Sequence, residues 1–242
     1  MFCGVFDGHG PWGHLVSKRV KKVMPAFLLH YWQEASAQCS AGLKNANLNQ
    51  FGMWKKSFKR ACSTVDTDLE LHPVIDSFYS GTAALTIIRE VHTKLIITHF
   101  FLIFKESERI HKSGGSVCEA DDEPGVSRIR APHEESPDGP GLALSRAFGD
   151  FFVKDFGLIS EPDVIQRTVT TRDRFVILAT DGAVEIVSSA TERDEAAKRI
   201  VDYAAGQWKL KRPGYAVDDI SVVCLFFHNP VADPEILSSG HT

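Results

Sequence analysis

Three apolar runs in this chain end or begin at an aspartate. Val5-Phe6 leads into Asp7-Gly8, Phe175 to Ala179 leads through Thr180 into Asp181-Gly182, and Asp218-Asp219 opens the run Ile220 to Phe227. Short apolar runs rich in β-branched and aromatic residues, bounded by turn residues, read as buried strands. Carboxylates at strand ends can converge on one edge of a sheet, where rigid elements hold them close. Hard divalent cations such as Mg²⁺ and Mn²⁺ prefer oxygen donors of this kind and keep several waters. A glycine after the aspartate lets its backbone carbonyl approach an ion with no side chain in the way. Two such ions about 3.5–4 Å apart can activate a water and neutralise a phosphoryl group. Asp-Gly is also a turn signal, and each pair taken singly reads as turn chemistry.

Between these strands the periodicity changes. Leu15, Val16, Val20, Val23, Met24 and Phe27 recur at helical spacing, and Phe51, Trp54, Phe58, Ala61 and Val65 repeat the pattern. Two amphipathic helices are expected, at about 15–32 and 51–68, packed together through their apolar faces. Ser36 to Asn49 reads as a polar loop between them. Ser80 to Ile88 reads as a turn entering a strand, and Leu95 to Phe104 (LIITHFFLIF) as a second buried strand. That second run is about half the roughly 20 residues a spanning helix needs, so a membrane span is not expected. Ser107 to Pro140, rich in Gly, Pro, Ser, Asp and Glu, reads as mainly loop with a short helix near Glu106–His111. Ser189 and Glu192 form a capping box opening a helix whose apolar face is Ala196, Ile200, Val201, Ala204 and Trp208.

Composition narrows the function classes. The net charge of −4 over 242 residues, with no Lys/Arg block, leaves no electrostatic footprint for nucleic acid or anionic lipid. Five widely spaced cysteines and no CxxC pair argue against a disulfide framework or a zinc site, and for a reducing compartment. No basic segment followed by an apolar run opens the chain. The localisation expected is intracellular, in cytoplasm or nucleus.

The words around the aspartates carry a resemblance. Val5-Phe6-Asp7-Gly8-His9-Gly10, Ser80-Gly81-Thr82-Ala83, Leu144-Ser145-Arg146-Ala147-Phe148-Gly149-Asp150, Ala179-Thr180-Asp181-Gly182 and Asp218-Asp219-Ile220-Ser221-Val222-Val223 occur in that order across nearly the whole chain. Together they resemble the motifs of the protein phosphatase 2C family, the metal-dependent serine/threonine phosphatases. Gly10-Pro11-Trp12-Gly13-His14 and Lys154 to Ser160 resemble its plant branch.

The resemblance implies an α+β fold: a four-layer α-β-β-α sandwich of two mainly antiparallel sheets over residues 1–228, followed by a polar C-terminal tail at 229–242. It implies hydrolysis of phosphoserine and phosphothreonine in proteins by a water activated at two Mg²⁺ or Mn²⁺ ions. Carried over by motif, Asp7 would bridge both ions, the Gly8 carbonyl would bind one, and Asp181 and Asp218 the other. Asp219 stands where many relatives have Asn, which favours Asp218. His9 would be the general acid for the leaving alkoxide, or would simply complete a turn. The partners implied are phosphorylated protein substrates, with no nucleic acid and no membrane, for a monomer. Ser80 and Thr82 lack a Ser/His/Asp context and take a structural role. Arg146 and Asp150 are expected to form a structural ion pair.

The sequence also departs from the family pattern. It begins almost at the Asp7 motif, where relatives carry a preceding strand pair with an acidic residue and a phosphate-gripping basic one. No GDSRA segment follows Ser80–Ala83, Glu185 replaces an aspartate, and Val184 stands where a Trp is common. The sandwich is therefore expected to be incomplete. An alternative reading is a catalytically weak or inactive phosphatase-like protein that acts as a binding partner, and a third is a small metal-binding module.

Overall fold

The structure is a computed structural model that describes residues 1–40, 49–90, 94–99, 106–120, 123–132, 141–180, 195–211 and 219–227. The chain divides into two compact units, Met1–Arg167 and Thr168–Thr242.

In the first unit, β1 (Phe2–His9) pairs antiparallel with β2 (Gly81–Arg89), which pairs antiparallel with β3 (Lys94–His99). The sheet order is β1-β2-β3-β7, with β7 spanning Asp163–Thr168, and the two-residue β6 (Phe148–Gly149) adds to β2 beside Gly81 and Thr82. Apolar content explains the central strands: in β2 the buried residues include Ala84, Ile87 and Ile88, and in β3 Leu95 and Ile96. A hydroxyl pair inside the sheet, Thr86 to Thr98 at 2.6 Å, satisfies two buried polar groups at once.

Helices α1 (Gly13–Ser40) and α2 (Gln50–Glu70) cover one face of this sheet. Their buried stripes are Val16, Val20, Met24 and Leu28 on α1 and Trp54, Phe58, Ala61, Cys62, Val65 and Leu69 on α2. These spacings are one face of an α-helix, so two helices bury their apolar stripes against each other and against Ala84, Ile88, Ile96 and Phe148 of the sheet. Asn49 caps α2 by accepting from the Gly52 amide at 2.8 Å. The stacked indoles of Trp32 and Trp54, with centroids 3.7 Å apart, join the helices toward the far end of α1.

Two expectations change. Helix α1 continues to Ser40, where the sequence pattern ends at about residue 32, because Glu34, Ala35, Ala37 and Gln38 are good helix formers on a solvated stretch. The 107–140 segment holds more than loop. Beyond the expected short helix, α3 (Ser107–Lys112), it contains an antiparallel hairpin, β4 (Ser116–Ala120) with β5 (Glu123–Arg130). That hairpin is anchored by Ile129, fully buried with Ile110, Ala147, Val153 and Leu158 in a second, smaller core.

In the second unit, β8 (Phe175–Ala179) pairs antiparallel with β9 (Val222–Phe226), and α4 (Ala196–Lys211) packs with β9. Ala196, Ile200 and Ala204 are its buried positions, the expected face. The capping box at 189–192 and the tail at 229–242 lie outside the described residues. All five cysteines are free thiols, and no helix among the described residues is long and apolar enough to cross a membrane.

Candidate functional site

Strand alternation sorts the first motif onto the two faces of the sheet. Phe2 and Phe6 pack against the α1/α2 core, so Asp7 and His9, at odd positions of the same strand, point to the opposite face. Gly8 points with Phe6 toward α1, and a Cβ there would stand 2.3 Å from the Gly13 carbonyl oxygen. The backbone of β1 thus lies directly on the first turn of α1.

The expected turn at Asp7-Gly8 is instead strand. The ladder continues through Asp7↔Ala83, Gly8↔Thr82 and His9↔Gly81, and the chain turns only at Gly10 to Trp12. Thr82 Oγ1, fully buried, donates to the Asp7 carbonyl at 2.8 Å. Ser80 Oγ accepts from the Trp12 amide at 2.9 Å and pins the turn that follows His9. Both hydroxyls therefore hold backbone, in line with the structural role expected of them.

The arrangement around His9 was not foreseen. Gly81 lies in the middle of three strands, opposite His9 of β1 on one side and opposite Gly149 of β6 on the other. His9 Nε2 lies 2.6 Å from Asp150 Oδ2. The two side chains meet over Gly81, where a Cβ would sit 1.9 Å from Asp150 Oδ2. Only glycine leaves room for the carboxylate. Asp150 itself is held in the left-handed region, φ 52° and ψ 47°, a conformation that Asp and Asn tolerate best among residues with a side chain. Its side chain is 2 % exposed against 30 % for His9, so the carboxylate is buried and the ring is its cover.

The loop carrying Asp150 is fastened from α2. Asp66 accepts from the Gly149 amide at 2.9 Å and from Lys154 Nζ at 2.7 Å, while Lys154 also donates to the Ala147 carbonyl at 2.8 Å. Burial pushes the Lys154 ammonium below its ordinary value, and the adjacent Asp66 carboxylate opposes that shift. The Asp150 amide donates to the Ser80 carbonyl at 3.0 Å.

The expected Arg146–Asp150 ion pair does not form. Arg146 Nε donates to Glu106 Oε1 at 2.9 Å and its Nη2 to the same carboxylate, while Arg109 and Ser145 Oγ bond the same group. Burial alone would raise the Glu106 carboxyl, but these donors outweigh it and hold it below its usual range. Charge pairing in this loop is decided by a residue about 40 positions earlier, Glu106, which releases Asp150 to face His9. The signal in the sequence was the glycine at 81, opposite the histidine.

In the second unit, Thr180 extends the β8–β9 ladder. Its amide donates to the Ser221 carbonyl at 3.0 Å, its hydroxyl accepts from the Ser221 amide at 3.0 Å, and it donates to the Asp219 carbonyl at 3.2 Å. The two strand ends that run on in sequence to Asp181 and Asp218 are thereby locked together. Asp181 and Asp218 lie outside the described residues.

Of the metal ligands expected from the sequence, Asp7 and Gly8 are therefore the two described. Among the described residues no three His, Cys, Asp or Glu side chains converge on an ion. The donors of the two described positions, a carboxylate and a backbone carbonyl, are of the oxygen type that a hard divalent cation prefers.

Comparison with known proteins bears on this geometry. Residues 2–211 match the family described as Protein phosphatase 2C. Probable protein phosphatase 2C 34 of Arabidopsis thaliana is 45 % identical over 270 residues, covering 98 % of this chain and 75 % of that protein. Probable protein phosphatase 2C 73 of the same plant is 45 % identical, covering 95 % of this chain and 71 % of that protein. The first alignment is longer than this chain, so that relative carries residues inside the matched span that are lacking here. Among solved structures, a serine-threonine phosphatase 2C from Toxoplasma gondii superposes with a TM-score of 0.74 at 22 % identity, over 94 % of this chain and 84 % of that one. That likeness shows the fold: mixed α and β, with antiparallel sheets.

Proposed function

The chain belongs to the protein phosphatase 2C family, metal-dependent protein serine/threonine phosphatases, and on that premise we propose that it hydrolyses phosphoserine and phosphothreonine in proteins by direct attack of water. Asp7, the Gly8 carbonyl, Asp181 and Asp218 would hold two Mg²⁺ or Mn²⁺ ions. When bound, such ions supply charge neutralisation at the phosphoryl group and acidify water.

The protein's own residues supply the remainder. Water oxygen forms a new bond to phosphorus as the bond from phosphorus to the serine or threonine oxygen breaks. The electron pair of the broken bond stays on that oxygen, which takes a proton from His9. An alkoxide is a poor leaving group, and a positioned acid is worth about 10²–10⁴-fold there. The attacking water's proton passes to product phosphate or solvent, and the imidazole recovers its own from solvent.

The observation that carries this reading is the placement of His9. It stands two residues from Asp7 on the sheet face turned away from α1 and α2, with its ring held by Asp150 and 30 % exposed.

The test is hydrolysis of a phosphothreonine peptide and of p-nitrophenyl phosphate with Mn²⁺ or Mg²⁺, with and without EDTA. Metal-stimulated release of phosphate from both, abolished by EDTA, is the result expected. Hydrolysis unaffected by EDTA, or none with either metal, would overturn the proposal.

A further inference from the structure

We infer that Asp150 is the positioning residue of the general acid: it fixes the His9 ring by accepting a hydrogen bond from Nε2, so that the proton given to the leaving oxygen comes from Nδ1. The inference rests on the reading of His9 as general acid and adds to it the residue that orients the ring and the nitrogen that acts.

The geometry argues it in three steps. A carboxylate only accepts hydrogen bonds, so the 2.6 Å contact between Asp150 Oδ2 and His9 Nε2 places the ring proton on Nε2. Nδ1 has no hydrogen-bond partner among the described residues, and the ring is the exposed member of the pair. After Nδ1 gives up its proton, the neutral ring is left as the Nε2–H tautomer, the form Asp150 binds, and no rearrangement has to accompany proton transfer. A buried carboxylate that holds a catalytic imidazole in one tautomer and one orientation is a recurring device.

The cost of building this contact argues that it is more than packing. Asp150 is a buried charged residue in a left-handed backbone conformation. Gly81 is stripped of any side chain where the carboxylate passes, and Gly149 is tied to Asp66 and through it to Lys154. A core that needed only to be filled would place an apolar residue here at lower cost. The two motifs given structural roles from sequence, Ser80–Ala83 and Ser145–Asp150, thus converge on one carboxylate and aim it at one ring.

The experiment has a spectroscopic arm and a kinetic arm, on the full chain. In the first, long-range ¹⁵N–¹H correlation spectra of the metal-free protein assign the tautomer of the neutral His9 ring. Wild type is expected to give the Nε2–H form, and Asp150→Asn a mixture or the Nδ1–H form. A wild-type ring protonated on Nδ1 would overturn the inference without touching the general-acid reading.

In the second arm, kcat is measured for a phosphothreonine peptide and for p-nitrophenyl phosphate, whose leaving group needs little protonation. Asp150→Asn, which keeps size and tolerates the left-handed backbone, is expected to lower kcat on the peptide by roughly 10²-fold, within the range of general-acid loss. Its loss on the aryl phosphate should be much smaller, and the peptide KM should change little. Adding His9→Ala to Asp150→Asn should cost little beyond His9→Ala alone. Gly81→Ala, whose Cβ would stand 1.9 Å from the Asp150 carboxylate and 2.6 Å from the Phe148 carbonyl oxygen, should repeat the kinetic pattern together with some loss of stability. Equal losses on both substrates, or additive losses in the double variant, would overturn the inference. A His9→Ala variant with undiminished peptide turnover would overturn the general-acid reading itself.

Discussion

Arg19 on α1 grips Asp68 on α2 through two parallel hydrogen bonds, Nε to Oδ2 at 2.8 Å and Nη2 to Oδ1 at 2.7 Å. The Arg19 guanidinium holds the Asp68 carboxyl below its ordinary value. A carboxyl lowered in the folded state contributes stability that is fully present above its unfolded value, near pH ~4. That contribution is lost as pH falls through the lowered folded value. Asp68→Asn is therefore expected to destabilise the protein at neutral pH and to flatten the acid limb of its stability curve. Urea unfolding from about pH 3 to about pH 7 checks this. An acid limb as steep as wild type would show that Asp68 does not contribute to it.

Gly8→Ala is expected to separate β1 from α1. The added Cβ would meet the Gly13 carbonyl oxygen at 2.3 Å and carbon at 2.6 Å, both backbone, which no rotamer change can relieve. Overpacking of this kind costs about 1–3 kcal/mol. Urea midpoints at unchanged m value give the loss, and a stability equal to wild type would show that the strand and helix have room to part.

Lys154 and Asp66 have side chains only 15 % and 13 % exposed. Lys154→Met removes one charge and leaves Asp66 with the Gly149 amide as its remaining donor, so a loss of about 3–5 kcal/mol is expected, the usual result of orphaning a buried partner. Adding Asp66→Asn removes the stranded charge while keeping an acceptor for Gly149, and should restore part of the loss. Chemical unfolding of the two single variants and the double variant measures the coupling. Strictly additive losses would mean the pair acts as two separate residues.

Much of the fold was legible because its signals are local. Val16, Val20 and Met24, with Trp54, Phe58 and Val65, repeat at the helical period and bury as that period requires. The short apolar runs at 80–88 and 175–179 form β2 and β8. The hairpin β4–β5 was not legible, since Ser116-Val117-Cys118-Glu119 and Ser127-Arg128-Ile129-Arg130 are mostly polar, with the cross-strand pair Val117 and Ile129 alone among these eight residues meeting the second core. The candidate site was half legible. The motif around Asp7 and His9 singles out residues that the structure describes on β1, while Asp181 and Asp218 lie outside the described residues. The partner of His9 lies 141 positions away, and it emerges only once the register of β1, β2 and β6 brings both residues beside Gly81.

The proposed division of labour between carboxylates and histidine makes the last prediction. Asn in place of Asp7 or Asp181 keeps the shape and removes the negative charge that holds a divalent cation. Outer residues around a metal are worth about 10–100-fold in affinity, so losing a direct ligand should cost more than that. Calorimetric titration with Mn²⁺ should find weakened binding in both variants, together with near-complete loss of metal-dependent turnover. The metal-free fold should be kept or slightly stabilised, because clustered carboxylates repel one another when no cation is present. Asp219→Asn, at an exposed position, should retain both binding and turnover. His9→Ala should bind Mn²⁺ as wild type does and slow peptide hydrolysis by about 10²–10⁴-fold. A general acid acts on the leaving oxygen and touches no metal, so its loss slows the reaction and leaves metal affinity alone. Equal weakening of Mn²⁺ binding in His9→Ala and Asp181→Asn would merge the two roles, and unchanged turnover in Asp181→Asn would remove that residue from the metal centre.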